Sequence, residues 1–309
     1  MDRFKEMESF VAVVEAGSFV AAADLLRVTK AAVSRSVIEL EERLGARLLQ
    51  RTTRRQSLTE AGRAYYGRCK QILAELAEAD SAVGAVTGHP VGKLRINAPF
   101  SFGILHLAPL WGPFMERYPD VDLEVTLADR LVDVVEEGYD LVVRISRLAD
   151  SSLIYRRLGS TRIFVCASPE YLARHGRPQS VADLAAHAVI GYSYAAEGDV
   201  WRFRTPQGEQ EVLTHPRMRT NNGDTCLASA LAHQGLVLQP DFIVGKHLAD
   251  GSLVDVLPDC CGPELGIYAV YPSRKHLSVK VRALVDFLVE AFAAPQWQVR
   301  AGSAAGREA

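Results

Sequence analysis

Long apolar runs, C-x-x-C motifs and metal-ligand spacings are all missing from this sequence of 309 residues. No stretch approaches the roughly 18 apolar residues that a membrane-spanning helix needs. The five cysteines form no C-x-x-C pair and the eight histidines show no metal spacing, so we predict no zinc site, redox motif or cofactor. Adjacent Cys260 and Cys261 are either two loop thiols or a pair that senses oxidation. Acids at Asp2 and Glu6 are unlike the basic start of a secretory signal, so we expect a cytoplasmic protein.

The overall composition is that of a globular protein, with 48% hydrophobic and 23% charged residues, and the length suggests two or three domains. A net charge of −2 argues against nucleic-acid binding, but charge is unevenly distributed. Residues 27–55 contain eight basic and three acidic side chains. Because phosphate binding requires a local basic surface and not a basic whole chain, this segment favours a nucleic-acid partner.

The first 60 residues predict three short helices followed by a hairpin, because apolar residues recur at helical spacing three times in succession. Residues suited to capping bound these helices: Gly17, Ser18, Thr29 and Gly45. The inner face of the third helix consists of Val33, Val37, Leu40 and Leu44. The sequence therefore predicts a small helical domain with its own core.

The opposite face of the third helix carries Ala31, Arg35, Ile38 and Glu42, with Ser34 on its flank. Two helices joined by a short turn, the second with small residues and an arginine near its N-terminus, fit a helix-turn-helix. Small residues let the helix enter a major groove, where Arg35 can reach a guanine or a phosphate. The alternative is a three-helix interaction module in which Arg35 is only solvated.

Two short strands, at 48–51 and 56–58, flank a turn of cations and hydroxyls: Arg51, Thr52, Thr53, Arg54 and Arg55. Such a turn can follow the DNA backbone or enter a minor groove, where arginine is favoured by the negative potential. A basic turn alone is weak evidence, but directly after a helix-turn-helix it predicts a wing.

A long helix follows, with apolar or small residues at alternating steps of four and three: Tyr65, Cys69, Ile72, Leu76, Ala79, Val83 and Val86. This spacing is a heptad seam, which predicts pairing with a second copy of the helix. Gly88, His89 and Pro90 end it.

From Val91 the pattern changes to alternating strands and helices, which predicts a parallel sheet. The expected elements are a strand at 93–98, a helical stretch to Tyr118, a strand at 121–127, a helix at about 130–137, a strand at 141–143, two strands around Tyr155 and Phe164, a second α/β block to about Pro263, a strand at 265–271 and a helix at 277–293.

Residues 10–62 resemble the LysR-type transcriptional regulators. The matching motifs are Ser18-Phe19, Ala22-Ala23, Ala32-Val33-Ser34, Leu40-Glu41, Leu44-Gly45 and Leu58-Thr59-Glu60-Ala61-Gly62. Segments typical of one branch of the family continue the resemblance at residues 98–103, 221–224 and 268–274. Lys30-Ala31 and Leu49 depart from the family pattern, so a base preference does not carry over.

The resemblance implies an α/β multidomain protein that binds operator DNA as a dimer or tetramer. The implied domains are a winged helix-turn-helix at 1–60, a linker and dimerisation helix at 61–90, and at 91–296 an effector domain with a Rossmann-like fold resembling type II periplasmic binding proteins. Its lobe I comprises 91–163 and 267–296 and its lobe II comprises 164–266, with a disordered tail at 297–309. The expected DNA-binding residues are Ser18, Thr29, Lys30, Ala31, Ala32, Ser34, Arg35, Ile38, Arg51, Thr52, Thr53, Arg54 and Arg55. RNA polymerase is a further possible partner.

An effector cleft between the lobes is also expected, because Ser101 and Asn222 each stand where a strand leads into a helix. Helix N-termini offer free N–H groups and a partial positive charge, which suit a carboxylate effector. The residues expected to line the cleft are Ser101, Phe102, Asp129, Arg130, Ser146, Arg147, Asn222, Gly223 and Asp224. Each of them has an alternative role as an ordinary cap or loop residue, and Asp224 in particular can simply cap its helix.

Two other functions compete with a ligand-responsive regulator. A solute-binding protein of the transport type explains the two lobes but leaves the first 60 residues without a role. An enzyme is disfavoured because the sequence contains no G-x-S-x-G, no Walker loop and no metal set.

Overall fold

The computed structural model describes residues 2–51, 56–85, 89–147, 154–260, 262–272, 277–294 and 297. Contacts divide the chain into two compact units, one of residues 1–89 with 135–138 and one of the remainder. None of the described helices has the length and apolarity needed to cross a membrane.

The N-terminal unit begins with three helices, α1 (Arg3–Ala16), α2 (Phe19–Leu26) and α3 (Lys30–Leu44). Their ends confirm the predicted caps. The Ser18 hydroxyl accepts the Ala21 N–H at 3.1 Å and the Thr29 hydroxyl accepts the Ala32 N–H at 3.2 Å. Gly17 and Gly45 follow α1 and α3 in the left-handed conformation that glycine adopts without strain.

Strands β1 (Leu49–Arg51) and β2 (Gln56–Leu58) pair antiparallel as the predicted hairpin, and α4 (Glu60–Ala85) follows. The basic turn at Thr52, Thr53, Arg54 and Arg55 lies outside the described residues. Gly62 is required where α4 meets the hairpin, because a Cβ there would lie 2.1 Å from the Leu48 carbonyl oxygen.

Part of the heptad seam predicted for α4 is wrong. Cys69 is fully buried in the core of its own unit, with Phe10 and Leu40 in the same cluster. Tyr65 is half-buried against this core, with its ring centroid 6.0 Å from that of Phe10. These two seam residues therefore cover the helix-turn-helix and not a partner helix, whereas Ile72 remains 37% exposed. The side chains of Ala79 and Val83 lie outside the described set.

The C-terminal unit contains all remaining elements, which in chain order are β3 (Gly92–Ala98), α5 (Phe100–Phe102), a π-helical turn (Gly103–Leu107), α6 (Ala108–Arg117), β4 (Val121–Leu127), β5 (Leu141–Ser146), β6 (Ile154–Ala167), α7 (Pro169–His175), a 3₁₀ turn (Ala182–Ala186), β7 (Val189–Tyr192), β8 (Val200–Thr205), β9 (Gly208–Leu213), β10 (Pro216–Thr220), α8 (Gly223–Leu231), β11 (Leu236–Pro240), α9 (Asp241–Asp250), β12 (Val254–Asp255), β13 (Glu264–Tyr271) and α10 (Val279–Ala291).

Two lobes share the long strand β6. In lobe I, β3 pairs parallel with β4 and β5, and β13 pairs antiparallel with β5 and with the first part of β6. In lobe II, β7 pairs parallel with β10 and β11, and β11 pairs antiparallel with the second part of β6. Strands β8 and β9 form a separate hairpin. The parallel strands expected from the alternating pattern are therefore present.

Two expectations about the secondary structure of this unit are wrong. The strands expected around Tyr155 and Phe164 are one continuous strand, β6, because its two halves pair with different lobes. Residues 130–137 form an irregular segment with a turn at 134–137 and not a helix: Val132 and Val134 are buried two residues apart, in a cluster with Tyr268. This period of two is incompatible with one face of a helix.

Trp297 corrects the start of the expected disordered tail. Its side chain is buried, and its indole N–H donates to the Ser160 carbonyl at 3.2 Å. Its ring lies 5.4 Å from Phe102 and 5.2 Å from Phe292. An indole buries a large apolar surface and gains a hydrogen bond, so Trp297 belongs to the core. Residues 298–309 lie outside the described part of the chain.

Candidate nucleic-acid interface and ligand cleft

The outward face of α3 consists of the residues expected from the sequence. Ala31, Arg35, Ile38 and Glu42 are exposed and Ser34 is half-buried, while Val33, Val37 and Leu40 are completely buried on the other side. Among the described residues Arg35 makes no ion pair. A helix with small residues at its N-terminus and an extended guanidinium on the same face has the shape that a major groove accepts.

The start of α3 and the turn before it are also accessible. Thr29, Lys30 and Ala32 are exposed and Ser18 is half-buried. The hydroxyls of Ser18 and Thr29 are already used as helix caps, so their first role is structural. Arg51 lies at the end of β1, and its side chain is outside the described set.

Glu41 holds the hairpin against α3, a role that the sequence did not reveal. Its carboxylate is buried, and one oxygen accepts the backbone N–H groups of Leu48 at 2.8 Å and Leu49 at 3.1 Å. Hydrogen bonds to a charged acceptor are among the stronger ones in proteins. The sequence signal for it was the Leu40-Glu41 motif of the family resemblance, which gave the acid no structural role.

Arg43 does not belong to the basic surface predicted from residues 27–55. Its guanidinium binds the buried carboxylate of Glu6, with contacts of 2.8 and 2.9 Å to the same oxygen. The hydrogen bond that Arg43 donates to Glu6 raises the pKa of Arg43, and the Tyr65 hydroxyl adds to this effect. The pair ties α1 to the end of α3, so this cation stabilises the unit and is not free to bind phosphate.

The two predicted sides of the ligand cleft meet in the C-terminal unit. The Ser101 hydroxyl, in lobe I, donates to Asp224 Oδ2, in lobe II, at 2.8 Å. Ser101 is buried, with 4% of its surface exposed. Gly223 is part of the same contact, since a Cβ there would lie 3.3 Å from Ser101 Oγ and 2.6 Å from Ile243 Cδ1.

Asp129 lies beside this contact. Its carboxylate accepts the Phe100 N–H at 2.7 Å and a hydrogen bond from the Tyr192 hydroxyl of lobe II. Burial raises the pKa of Asp129; the Phe100 N–H opposes this, and the charge of Asp224 adds to it. Burial and the Asp129 charge likewise raise the pKa of Tyr192. The boundary between the lobes therefore contains two neighbouring carboxyl groups, each hydrogen-bonded across it.

The other expected cleft residues have different roles. Asn222 caps α8, accepting the Thr225 N–H at 2.9 Å. Phe102 is completely buried, its ring 5.3 Å from that of Phe242, so it belongs to the core and not to the cleft surface. Arg130 is exposed and donates to the Leu131 carbonyl.

Ser146 and Arg147 lie at the exposed end of β5. Arg147 forms an ion pair with Glu197 of lobe II at 3.4 Å. Glu197 also binds Arg202 at 3.4 Å. Exposed pairs of this kind contribute little free energy. They nevertheless place two further charged side chains at the boundary of the lobes.

Sequence reasoning missed the lobe II partners. Tyr192 ends a short buried strand and Glu197 lies in a loop, and neither has a neighbour in sequence that indicates a site. Asp241 was also missed: its buried carboxylate accepts the Thr161 hydroxyl at 2.6 Å, which joins the start of α9 to β6. Burial raises the pKa of Asp241. Within the described residues no three His, Cys, Asp or Glu side chains form a group that could hold a metal ion.

Comparison with known proteins identifies two family regions. Residues 4–63 match the bacterial regulatory helix-turn-helix proteins of the lysR family, and residues 87–293 match the LysR substrate binding domain. An HTH-type transcriptional regulator of Xanthomonas campestris is 41% identical over 284 residues, covering 91% of this chain and 83% of that protein.

Solved structures agree with these matches. CrgA, a LysR-type transcriptional regulator from Neisseria meningitidis, is 38% identical, with a TM-score of 0.61 over 93% of this chain and 98% of that chain. The virulence activator AphB of Vibrio cholerae is 30% identical, with a TM-score of 0.62 over 94% of this chain and 99% of that one.

Proposed function

Because the chain belongs to the LysR family of transcriptional regulators, we propose that it binds operator DNA as an oligomer through α3 and the adjacent hairpin, under the control of a small organic acid in the cleft. Its relatives are regulators of transcription and not enzymes. The observation that carries the DNA-binding part is the outward face of α3, where exposed Arg35 stands beside small residues. Such a regulator acts in the cytoplasm, where bacterial DNA lies, and RNA polymerase is the further partner that we infer.

The experiment for DNA binding compares two arginines. Arg35→Ala is expected to lose about 1–3 kcal/mol of discrimination between operator and unrelated DNA, because a bidentate arginine–guanine contact is of that size. Arg54→Ala, in the predicted wing, is expected to weaken binding to all sequences and to flatten the dependence on salt. Both are measured by titration at several salt concentrations. Equal discrimination by wild type and Arg35→Ala would remove Arg35 from base reading.

An organic acid is the effector class that the cleft supports best. The N-terminus of α8 and the buried Ser101 hydroxyl already attract one carboxylate, that of Asp224. A second candidate, a ligand rich in amine or hydroxyl donors, is favoured by the presence of Asp129 and Asp224 themselves, since acids accept hydrogen bonds. Titrating matched pairs of a carboxylic acid and its amide separates the two classes.

The effector site is tested with Ser101→Tyr. A tyrosine side chain at this buried position fills the cleft, so we expect the response to effector to be lost while operator affinity stays within about twofold of wild type. Calorimetry with candidate acids and footprinting of operator DNA measure the two properties separately. Identical responses of wild type and variant to the same acid would place the effector elsewhere.

A further inference from the structure

We propose that Asp224 is an internal ligand. Its carboxylate accepts the hydrogen bond of the Ser101 hydroxyl and so holds the two lobes together in the absence of effector, and a carboxylate effector acts by replacing it. The inference rests on the proposed function in one respect, namely that the effector enters this cleft. The holding of the lobes by Asp224 does not depend on DNA or effector, so it can be tested by itself.

The Ser101–Asp224 contact has the properties of a strong hydrogen bond. The donor is buried, the acceptor is a carboxylate oxygen, and the distance is 2.8 Å. Hydrogen bonds to an ionised acceptor are roughly twice as strong as neutral ones, and more so away from water. Gly223 lets the backbone of α8 come this close, since any Cβ there would meet Ile243.

Asp224 is not needed as the cap of its own helix. Asn222 has that role, because its side-chain oxygen accepts both the N–H and the hydroxyl of Thr225 at 2.9 Å. The Asp224 carboxylate instead points to a hydroxyl in the other lobe, 123 residues away in the chain. Because Asn222 already caps α8, the Asp224 side chain is not needed there, and its hydrogen bond with Ser101 connects the two lobes.

The hydrogen-bond donors at the start of α5 explain why a carboxylate effector must replace Asp224 in order to bind Ser101. The Phe100 N–H already donates to Asp129 at 2.7 Å. The neighbouring Ser101 hydroxyl is therefore the donor that a second carboxylate can use. The Ser101 hydroxyl has a single hydrogen to donate, and Asp224 Oδ2 already accepts it. An incoming carboxylate therefore exchanges one acid for another at Ser101, and it cannot simply be added to both.

The test is chemical rescue of Asp224→Ala by formate, followed by amide hydrogen exchange in the full-length protein. Removing the carboxylate is expected to increase exchange at the amides of residues 102–103 and 225–226 about tenfold, the effect of losing a bond of this strength. Millimolar formate is expected to restore most of the protection. Formamide, and sodium chloride at equal ionic strength, are expected to restore none.

Three variants serve as controls. Ser101→Ala removes the donor from the other lobe and is expected to raise exchange equally, and it also covers the case in which Asp224→Ala folds poorly. The double variant Ser101→Ala/Asp224→Ala is expected to be insensitive to formate. Glu170→Ala removes an exposed acid from the second position of α7, as Asp224 stands in the second position of α8, and is expected to leave exchange in the cleft unchanged.

Two results would overturn the inference. Unchanged exchange in both Asp224→Ala and Ser101→Ala would mean that the contact does not hold the lobes. Increased exchange that formate leaves unaltered would mean that Asp224 only supports α8. Operator binding by the wild-type protein, measured in parallel, reports on the proposed function alone, so failure of one idea is distinguishable from failure of the other.

Discussion

The hydrogen-bonded acids of the two units differ in what they bind. In the N-terminal unit, Glu41 accepts main-chain N–H groups and Glu6 binds Arg43, and all of these partners are built into one small core. In the C-terminal unit, Asp129 and Asp224 bind groups that reach across the boundary between two lobes. The first pair stabilises a single core, whereas the second pair connects two lobes.

Under the proposed function, this difference separates a DNA-binding unit held by its own core from an effector unit whose lobes are joined by replaceable contacts. A carboxylate that binds its neighbouring main chain cannot be replaced by a small molecule without unfolding the unit. A carboxylate that binds a lone hydroxyl in another lobe can be, because the incoming ligand supplies the same chemical group. Substitutions should therefore unfold the first unit but only loosen the second.

The largest effect is expected for Glu41→Ala. It leaves two buried N–H groups, of Leu48 and Leu49, without an acceptor, and should lower the free energy of unfolding of the N-terminal unit by about 2–4 kcal/mol. Chemical denaturation measures this loss. Glu42→Ala, one residue further along α3 and exposed, is the matched control and should change stability by less than about 0.5 kcal/mol. Equal effects of both variants would refute the fixing role of Glu41.

An intermediate effect is expected for two residues of α4, one buried in the core of its own unit and one exposed and available for assembly. Cys69→Ser introduces a hydroxyl into the apolar core and should cost about 1–3 kcal/mol of stability without changing the oligomeric state. Ile72→Glu should leave the stability of the unit nearly unchanged and weaken association, because Ile72 is exposed on the same helix. Sedimentation and denaturation of both proteins check the contrast. An Ile72→Glu variant that assembles like wild type would exclude Ile72 from the interface.

The smallest effect is expected for Asp129→Asn and depends on pH. Burial raises the pKa of Asp129 in the folded state, so the folded protein retains this proton more tightly than the unfolded chain. Stability then falls as the pH rises from the ordinary aspartate pKa of about 3.9 to the raised value, and stays at the lower level above it.

Asp129→Asn keeps an acceptor for Phe100 but removes the ionisation. The stability of the variant relative to wild type should therefore increase with pH across this window, as followed by thermal unfolding between acidic and neutral pH. Parallel profiles for the two proteins would show that Asp129 ionises with equal ease in both states.

Local features of the fold were predictable, and distant pairings were not. The caps at Ser18 and Thr29 and the buried face of α3 follow from spacing within a few residues, and the structure confirms them. Tyr192 and Asp241 carry no such signal, because their partners lie far away in the chain. The seam at Cys69 was misread because heptad spacing looks the same whether a helix packs on its own domain or on a second copy.

The helix-turn-helix, its basic neighbourhood and the alternation of strands and helices follow from the order of residues, since these features depend on interactions between residues close in the chain. Only the tertiary structure decided that Arg43 is neutralised by Glu6, that β6 runs unbroken through both lobes, and that Ser101 meets Asp224. Those outcomes depend on which surfaces come together when apolar residues are buried, and residue spacing does not encode that choice locally.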